Sequence, residues 1–362
     1  AKPMEITREG WLQLFTQMRS PNSFLSRMFT IKPGGIYNGD KVAIDIERYG
    51  EEVAIAIRKC TGPNLNDISE FTTKEFTPPA YGEAFPLDVC DLLNRMAGVD
   101  PYTAAYTEYA GQLVAMMAKG FVLIDDKIKR AVELQASQIL QTGKLTLTDS
   151  SGGTVYELDF KPKATHYPTV GTAWDNVAST KLADLEALAK VIRADGKVNP
   201  DRLIMGDVAL RNFLADDEVQ KVLDNQRIDV GSIAPEFEDS GATFYGYVWV
   251  GAYRFEIWTY PDTYEHPQTG APTEYIGSDK VAMLSSRTRL DMVSARVPLP
   301  LGPDPRVANL LPGRMSSRSD SFDVTPNVYP TPNGKQIMGE LESRPLLIPV
   351  QLDGLGCLDT QP

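Results

Sequence analysis

The sequence predicts an α+β protein in which a compact region carries long extended appendages. Three observations carry that expectation. Apolar residues alternate over 42–46 and again over 53–57, a helical apolar pattern is sustained over 108–142, and helices and strands succeed each other in short order over 179–260.

Residues 1–39 are expected to form an N-terminal arm. Trp11, Leu12, Leu14, Phe15 and Met18 share one face of an amphipathic stretch from Thr7 to Arg19, and Pro21 separates it from Phe24-Leu25-Ser26-Arg27-Met28-Phe29. Pro33-Gly34-Gly35 then breaks regular structure. Such an arm has anchors but no core of its own, so its aromatics must be buried against something else. Residues 40–95 are expected to form a long projection. Val42, Ile44 and Ile46, then Val53, Ile55 and Ile57, read as two strands about Tyr49-Gly50. Beyond them Pro63, Pro78, Pro79 and Pro86 stiffen a stretch that carries Phe71, Phe76, Tyr81 and Phe85.

Residues 96–178 pair a long helix with a hairpin. Leu113, Met117, Phe121, Ile124, Ile128, Leu134, Gln135 and Ile139 follow helical spacing, and Asp125, Asp126, Lys127, Lys129, Arg130 and Glu133 are placed on the solvent side. Gly111 and Gly120 are the weak points, candidates for a bend, and Gly143 is the expected terminator. The runs Lys144–Thr148 and Thr154–Phe160 read as strands on either side of a glycine-rich turn.

Residues 179–330 hold the compact α+β region. Ser179 or Thr180 is expected to cap a helix with Leu182, Leu185, Leu188, Ala189 and Ile192 on its inner face, ended by Gly196. A strand at 202–205 follows, then a helix capped by Asp207, a third helix around Val219, Val222 and Leu223, and paired strands at 243–250 and 253–260. The prolines at 298–318 mark an irregular excursion, and residues 331–362 read as closing strands, broken by Pro345 and Pro349.

Composition excludes several classes of function. With 36 Lys plus Arg against 48 Asp plus Glu, the net charge is −12, which disfavours a protein that coats nucleic acid. No apolar run reaches the ~18 residues that would span a bilayer. Cys60, Cys90 and Cys357 lie far apart and are odd in number, so neither a disulfide scaffold nor a zinc knuckle organises the chain, and reduced thiols are expected. Ala1-Lys-Pro-Met-Glu shows no secretory signal pattern; its start fits either removal of an initiator Met or processing of a longer precursor.

Chemical motifs are equally sparse. His166 and His266 are isolated and read as surface histidines, and the acidic groups at 216–218 and 236–239 lack a calcium-loop pattern. No glycine-rich phosphate loop or nucleophile elbow is present. Trp249, Tyr253, Phe255, Trp258 and Tyr260 could stack sugars, but alternation on two strands favours core packing. No catalytic, metal or cofactor residues are therefore assigned, and a non-enzymatic role is expected.

The co-linear order of parts resembles the phage lambda-type major capsid proteins, the capsid protein E family. Residues 24–29 are similar to that family's N-arm, Glu75-Phe-Thr-Pro-Pro-Ala-Tyr81 to a motif of its E-loop, and Asp88–Arg95 to the exit of that loop. The stretch from Leu140 to Thr148 resembles the end of its spine helix and first P-domain strand. Residues 200–223 and 245–260 resemble its A-domain, and Tyr329-Pro330 with Arg344-Pro-Leu-Leu347 its closing segment. The resemblance implies a Hong Kong 97-type fold divided into N-arm (1–39), E-loop (40–95), P-domain (96–178), A-domain (179–330) and closing strands (331–362). It further implies hexamers and pentamers that tile an icosahedral head around double-stranded DNA, without sequence-specific contacts and without a membrane. Implied partners are a scaffold or assembly protease, a portal and a decoration protein, with assembly in the host cytoplasm and residence in the virion. Phe24, Leu25, Phe29, Phe71, Phe76, Tyr81 and Phe85 are the expected intersubunit contacts. Two alternatives stand beside this reading: the shell of a gene-transfer agent or encapsulin-like nanocompartment, and a carbohydrate-binding or carbohydrate-active surface protein using the aromatic strands.

Overall fold

The described period-two runs become strands, and several strands of the fold find partners far away in the chain. A computed structural model describes residues 21–37, 42–47, 71–88, 106–148, 153–223, 231–238, 240–295, 297, 324–331 and 336–362. The stretch 7–19, the run 53–57 and the proline-rich excursion 298–318 lie outside the described residues. After a 3-10 turn at Ser26–Met28, strand β1 (Thr30–Tyr37) runs parallel to β14 (Leu290–Ala295), whose other edge takes β17 (Pro345–Pro349) antiparallel. Strand β2 (Val42–Glu47) pairs with β3 (Phe71–Phe76), in the register Val42↔Phe76. The expected connection about Tyr49-Gly50 lies outside the described residues, and β2 takes β3 as a partner across residues 48–70. Strand β4 (Tyr81–Asp88) then joins β15 (Val324–Pro330) and β16 (Gln336–Ser343) in the order β15-β16-β4.

Helix α1 (Tyr106–Thr142) has 37 residues, about 55 Å at ~1.5 Å per residue, and continues through both Gly111 and Gly120. Its termination follows expectation. Gly143 adopts φ +64°, its N–H bonds the Ile139 carbonyl at 2.9 Å, and β5 (Lys144–Thr148) and β6 (Thr154–Asp159) follow as an antiparallel hairpin. Along α1 the burial changes character. From Met117 to Ile128 a stripe of Met117, Ala118, Phe121, Ile124 and Ile128 packs on Val328 and Leu341 of the β15-β16-β4 sheet, while Lys119, Leu123 and Lys127 stay exposed. From Val132 to Leu140 the helix is buried nearly all round, and Glu133 is inside rather than on the solvent side.

The compact region is built on a six-stranded sheet ordered β18-β13-β7-β10-β9-β8. Its strands are β7 (Arg202–Met205), β8 (Gly231–Phe237), β9 (Thr243–Val250), β10 (Tyr253–Thr259), β13 (Lys280–Leu284) and β18 (Leu355–Asp359). Helices α2 (Lys181–Gly196), α3 (Asp207–Leu214) and α4 (Asp217–Leu223) contribute Leu185, Leu188, Ile192, Phe213 and Val219 to its core, around Trp174 and Phe255. Two terminations differ from expectation by one residue. Lys197, not Gly196, takes the left-handed conformation, and Gly196 instead lets the Asp353 carbonyl approach to 2.3 Å from where a Cβ would sit. Gly206, not Asp207, is the N-cap of α3. The short hairpin of β11 (Thr263–Glu265) and β12 (Pro272–Glu274) was hidden in a polar stretch with no apolar alternation. Sheet membership also crosses the boundaries drawn on the sequence: β18 comes from the closing segment, and β14 and β15 leave the compact region for the other sheets.

Candidate assembly hub on the long helix

The buried end of α1 is where the appendages are rooted, and polar side chains do the rooting. Glu133 is fully buried; its Oε1 accepts the Leu25 N–H at 2.7 Å and its Oε2 accepts the Ser26 N–H at 3.0 Å. The two N–H groups are donors that a 3-10 turn at 26–28 leaves without intrahelical partners, so the carboxylate satisfies what the turn cannot. Burial holds the Glu133 carboxyl above the ordinary range, working against the Ser26, Leu25 and Tyr260 hydrogen bonds that favour its ionised form. Two residues on, Gln135 is also fully buried. Its Nε2 donates to the Tyr81 hydroxyl at 2.6 Å and to the Pro345 carbonyl at 3.3 Å, and its Oε1 accepts the Leu347 N–H at 3.3 Å. The N-terminal arm, the start of β4 and the closing strand β17 are therefore tied to α1 within one turn.

One turn further, Ser137 donates to the Tyr275 carbonyl, and Gln141 takes the same carbonyl at 2.8 Å while accepting the Gly277 N–H at 3.0 Å. Glu133, Ser137 and Gln141 stand at i, i+4 and i+8, one stripe that faces the arm and the 275–277 loop, and Gln135 reaches to the other side. Apolar contacts frame these bonds. The Phe24 ring lies 5.3 Å from Trp258 and 5.6 Å from Tyr260, centroid to centroid.

The seven expected contact residues are placed as follows. Phe24, Leu25, Phe29 and Phe76 are buried in their own chain, with Phe76 5.6 Å from Phe160. Tyr81 and Phe85 are half-buried against α1, Phe85 edge-on to Phe121 at 5.2 Å. Phe71 stands on β3, and its side chain lies outside the described residues. Phe24 and Phe29 of the arm are thus covered by the subunit's own core, because the end of α1 and the Trp258–Tyr260 strand end offer an apolar surface that the sequence pattern did not reveal.

His166, expected at the surface, is buried, with Nδ1 2.7 Å from the Leu355 carbonyl oxygen and Nε2 3.0 Å from Asp195 Oδ2. Asp216 accepts the Glu218 and Val219 N–H groups at the start of α4 and pairs with the buried Lys181 at 2.5 Å, which accounts for its acidic neighbourhood without a metal. Among the described residues no group of three His, Cys, Asp or Glu is arranged to hold a metal ion. No described helix is long and apolar enough to cross a membrane. Phe255 and Tyr260 are core residues, Tyr253 and Trp258 are partly covered, and Trp249 is exposed.

The sequence profile of phage major capsid protein E matches residues 12–356. The chain belongs to that family. No curated protein sequence matches it. The capsid subunit is similar in structure to a protein assigned as the capsid protein of a prophage in E. coli CFT073, at 12% identity and TM-score 0.63, over 98% of this chain and 99% of that one. It is also similar to a phage-related protein of Bordetella bronchiseptica RB50, with 12% identity, TM-score 0.48 and 98% of both chains covered. A third similar structure is the SrpI encapsulin of Synechococcus elongatus PCC 7942, with 11% identity, TM-score 0.44, and 93% of this chain and 86% of that one covered. The fold is the Hong Kong 97-type capsid fold, and the subunit is a phage major capsid protein that self-assembles into the shell of the virion.

Proposed function

We propose that this capsid protein tiles its head as hexamers and pentamers around double-stranded DNA, with residues 40–95, which include β2, β3 and β4, serving as the E-loop that reaches over a neighbouring subunit. The observation that carries this reading is the rooting of both appendages on one rigid turn of α1, through Glu133 to the arm and Gln135 to Tyr81. An appendage aimed from a fixed root can meet a neighbour in a repeatable geometry. On this reading the intersubunit role of Phe24, Leu25, Phe29 and Phe76 is indirect, since they fix the appendages from inside, while Phe71, Tyr81 and Phe85 flank the projection. The net charge of −12 suits DNA that is confined by the shell rather than held by basic side chains. A scaffold or assembly protease, a portal and a decoration protein complete the assembly, which takes place in the host cytoplasm, and the subunit needs no catalytic chemistry of its own.

Replacing residues 48–70 by a short Gly-Ser turn tests the E-loop assignment. The compact region should retain its thermal transition while shells fail to form. Normal shells from this variant would overturn the assignment. Nuclease-protected DNA inside purified particles supports the phage-head reading; particles that enclose an enzyme instead would favour a nanocompartment.

A further inference from the structure

We propose that Glu133 is the positioning residue of the N-terminal arm, a carboxylate latch on the long helix that fixes where residues 24–29 sit and so how the arm is presented to neighbouring subunits. The proposal rests on the shell-assembly reading above. Its structural basis is the pair of backbone bonds, 2.7 Å to Leu25 and 3.0 Å to Ser26, made by one fully buried side chain across more than a hundred residues of sequence. The latch holds main-chain donors rather than side chains, so it specifies the position of the backbone and tolerates changes of arm sequence. Apolar packing alone, by Phe24 on Trp258 and Tyr260, is non-directional and would allow the arm to slide. Two charge-assisted bonds from a fixed helix turn remove that freedom.

Other polar groups surround the latch. The Tyr260 hydroxyl and Ser26 face Glu133 from the strand end and the arm, Tyr275 and Asp262 lie nearby on the packed loops, and the exposed Arg130 stands one turn earlier on the helix. Burial raises the Glu133 carboxyl, while the Ser26, Leu25 and Tyr260 hydrogen bonds favour the ionised form, whose two oxygens accept both arm N–H groups at once.

The test is amide hydrogen exchange of residues 21–30 in wild type, Glu133→Ala and Glu133→Gln, with particle assembly measured in parallel. Protection at Leu25 and Ser26, corrected for intrinsic rates, is expected to fall about tenfold or more in Glu133→Ala, as expected for losing two buried bonds. Glu133→Gln keeps one acceptor oxygen and puts an amide donor in place of the other, so protection should fall at one of the two amides, Leu25 or Ser26, and persist at the other. If Glu133→Ala does not fold, the isosteric Glu133→Gln variant carries the test alone through that loss at one amide. Unchanged protection at both amides in either variant overturns the latch. Uniform particles of normal size from a variant with a released arm overturn its role in assembly. A wild-type chain that forms no particles counts against the shell reading instead, and the exchange result then decides the latch by itself.

Discussion

The ring of Phe85 on β4 is held between two glycines: a Cβ built on Gly120 of α1, or on Gly339 of β16, would come within 2.5 Å of it. Gly120 is therefore a packing position inside a continuous helix. It lets the helix and the sheet close on an aromatic ring that also meets Phe121 edge-on.

Gly120→Ala should for that reason destabilise the subunit although it improves helix propensity. The propensity gain is about 1 kcal/mol, whereas overpacking costs about 1–3 kcal/mol, and Gly339 leaves the ring nowhere to retreat. Urea unfolding of wild type, Gly120→Ala, Phe85→Ala and the double variant checks this. The double variant should be less destabilised than the sum of the single ones, because the added methyl has room once the ring is gone.

Tyr81→Phe should cost about 1 kcal/mol, since Gln135 loses its 2.6 Å bond but keeps the Pro345 carbonyl. A thermal shift in isolated subunits without any change in the compact region's exchange protection would match this expectation.

The sequence made the regular elements legible and the long-range closures illegible. Alternation over 42–46 and 243–250 predicted strands, and Gly143 predicted the end of α1, because each signal is local to the chain. Glu133 carries the helical spacing of a solvent-side charge, and only an arm more than a hundred residues away turns that position into an interior one. The β2–β3 pairing and the place of β18 in the six-stranded sheet were hidden for the same reason. His166 looked exposed in a polar loop, yet Leu355 and Asp195 close over it from two distant elements.

The Lys181–Asp216 pair gives the compact region an acid-sensitive component. Burial pushes the Asp216 carboxyl up, but the Lys181 ammonium and the Glu218 and Val219 N–H groups outweigh it and hold the group below its ordinary value. Its stabilisation is therefore complete above the ordinary carboxylate value of 3.8 and is lost as pH falls through the lower value in the folded protein. Asp216→Asn should flatten the pH dependence of the melting temperature in that interval. Lys181→Met, which leaves the half-buried Asp216 carboxylate with only its Glu218 and Val219 N–H partners, should cost about 1–3 kcal/mol near neutrality.

Cys357 lies in β18, fully enclosed, and burial pushes its thiol up to about 12. At pH 8 the native subunit should leave it unalkylated by iodoacetamide, while the denatured chain reacts, as read by peptide mass spectrometry. Reductant should correspondingly leave Cys357-dependent stability unchanged.

The central claim, that this chain is a shell-building subunit, is tested most directly by the mass and shape of the purified particle, from sedimentation together with negative-stain imaging. The account predicts hollow polyhedral shells of megadalton mass made from the 39.9 kDa chain. A chain that stays monomeric at 39.9 kDa even when co-expressed with phage assembly factors would contradict it.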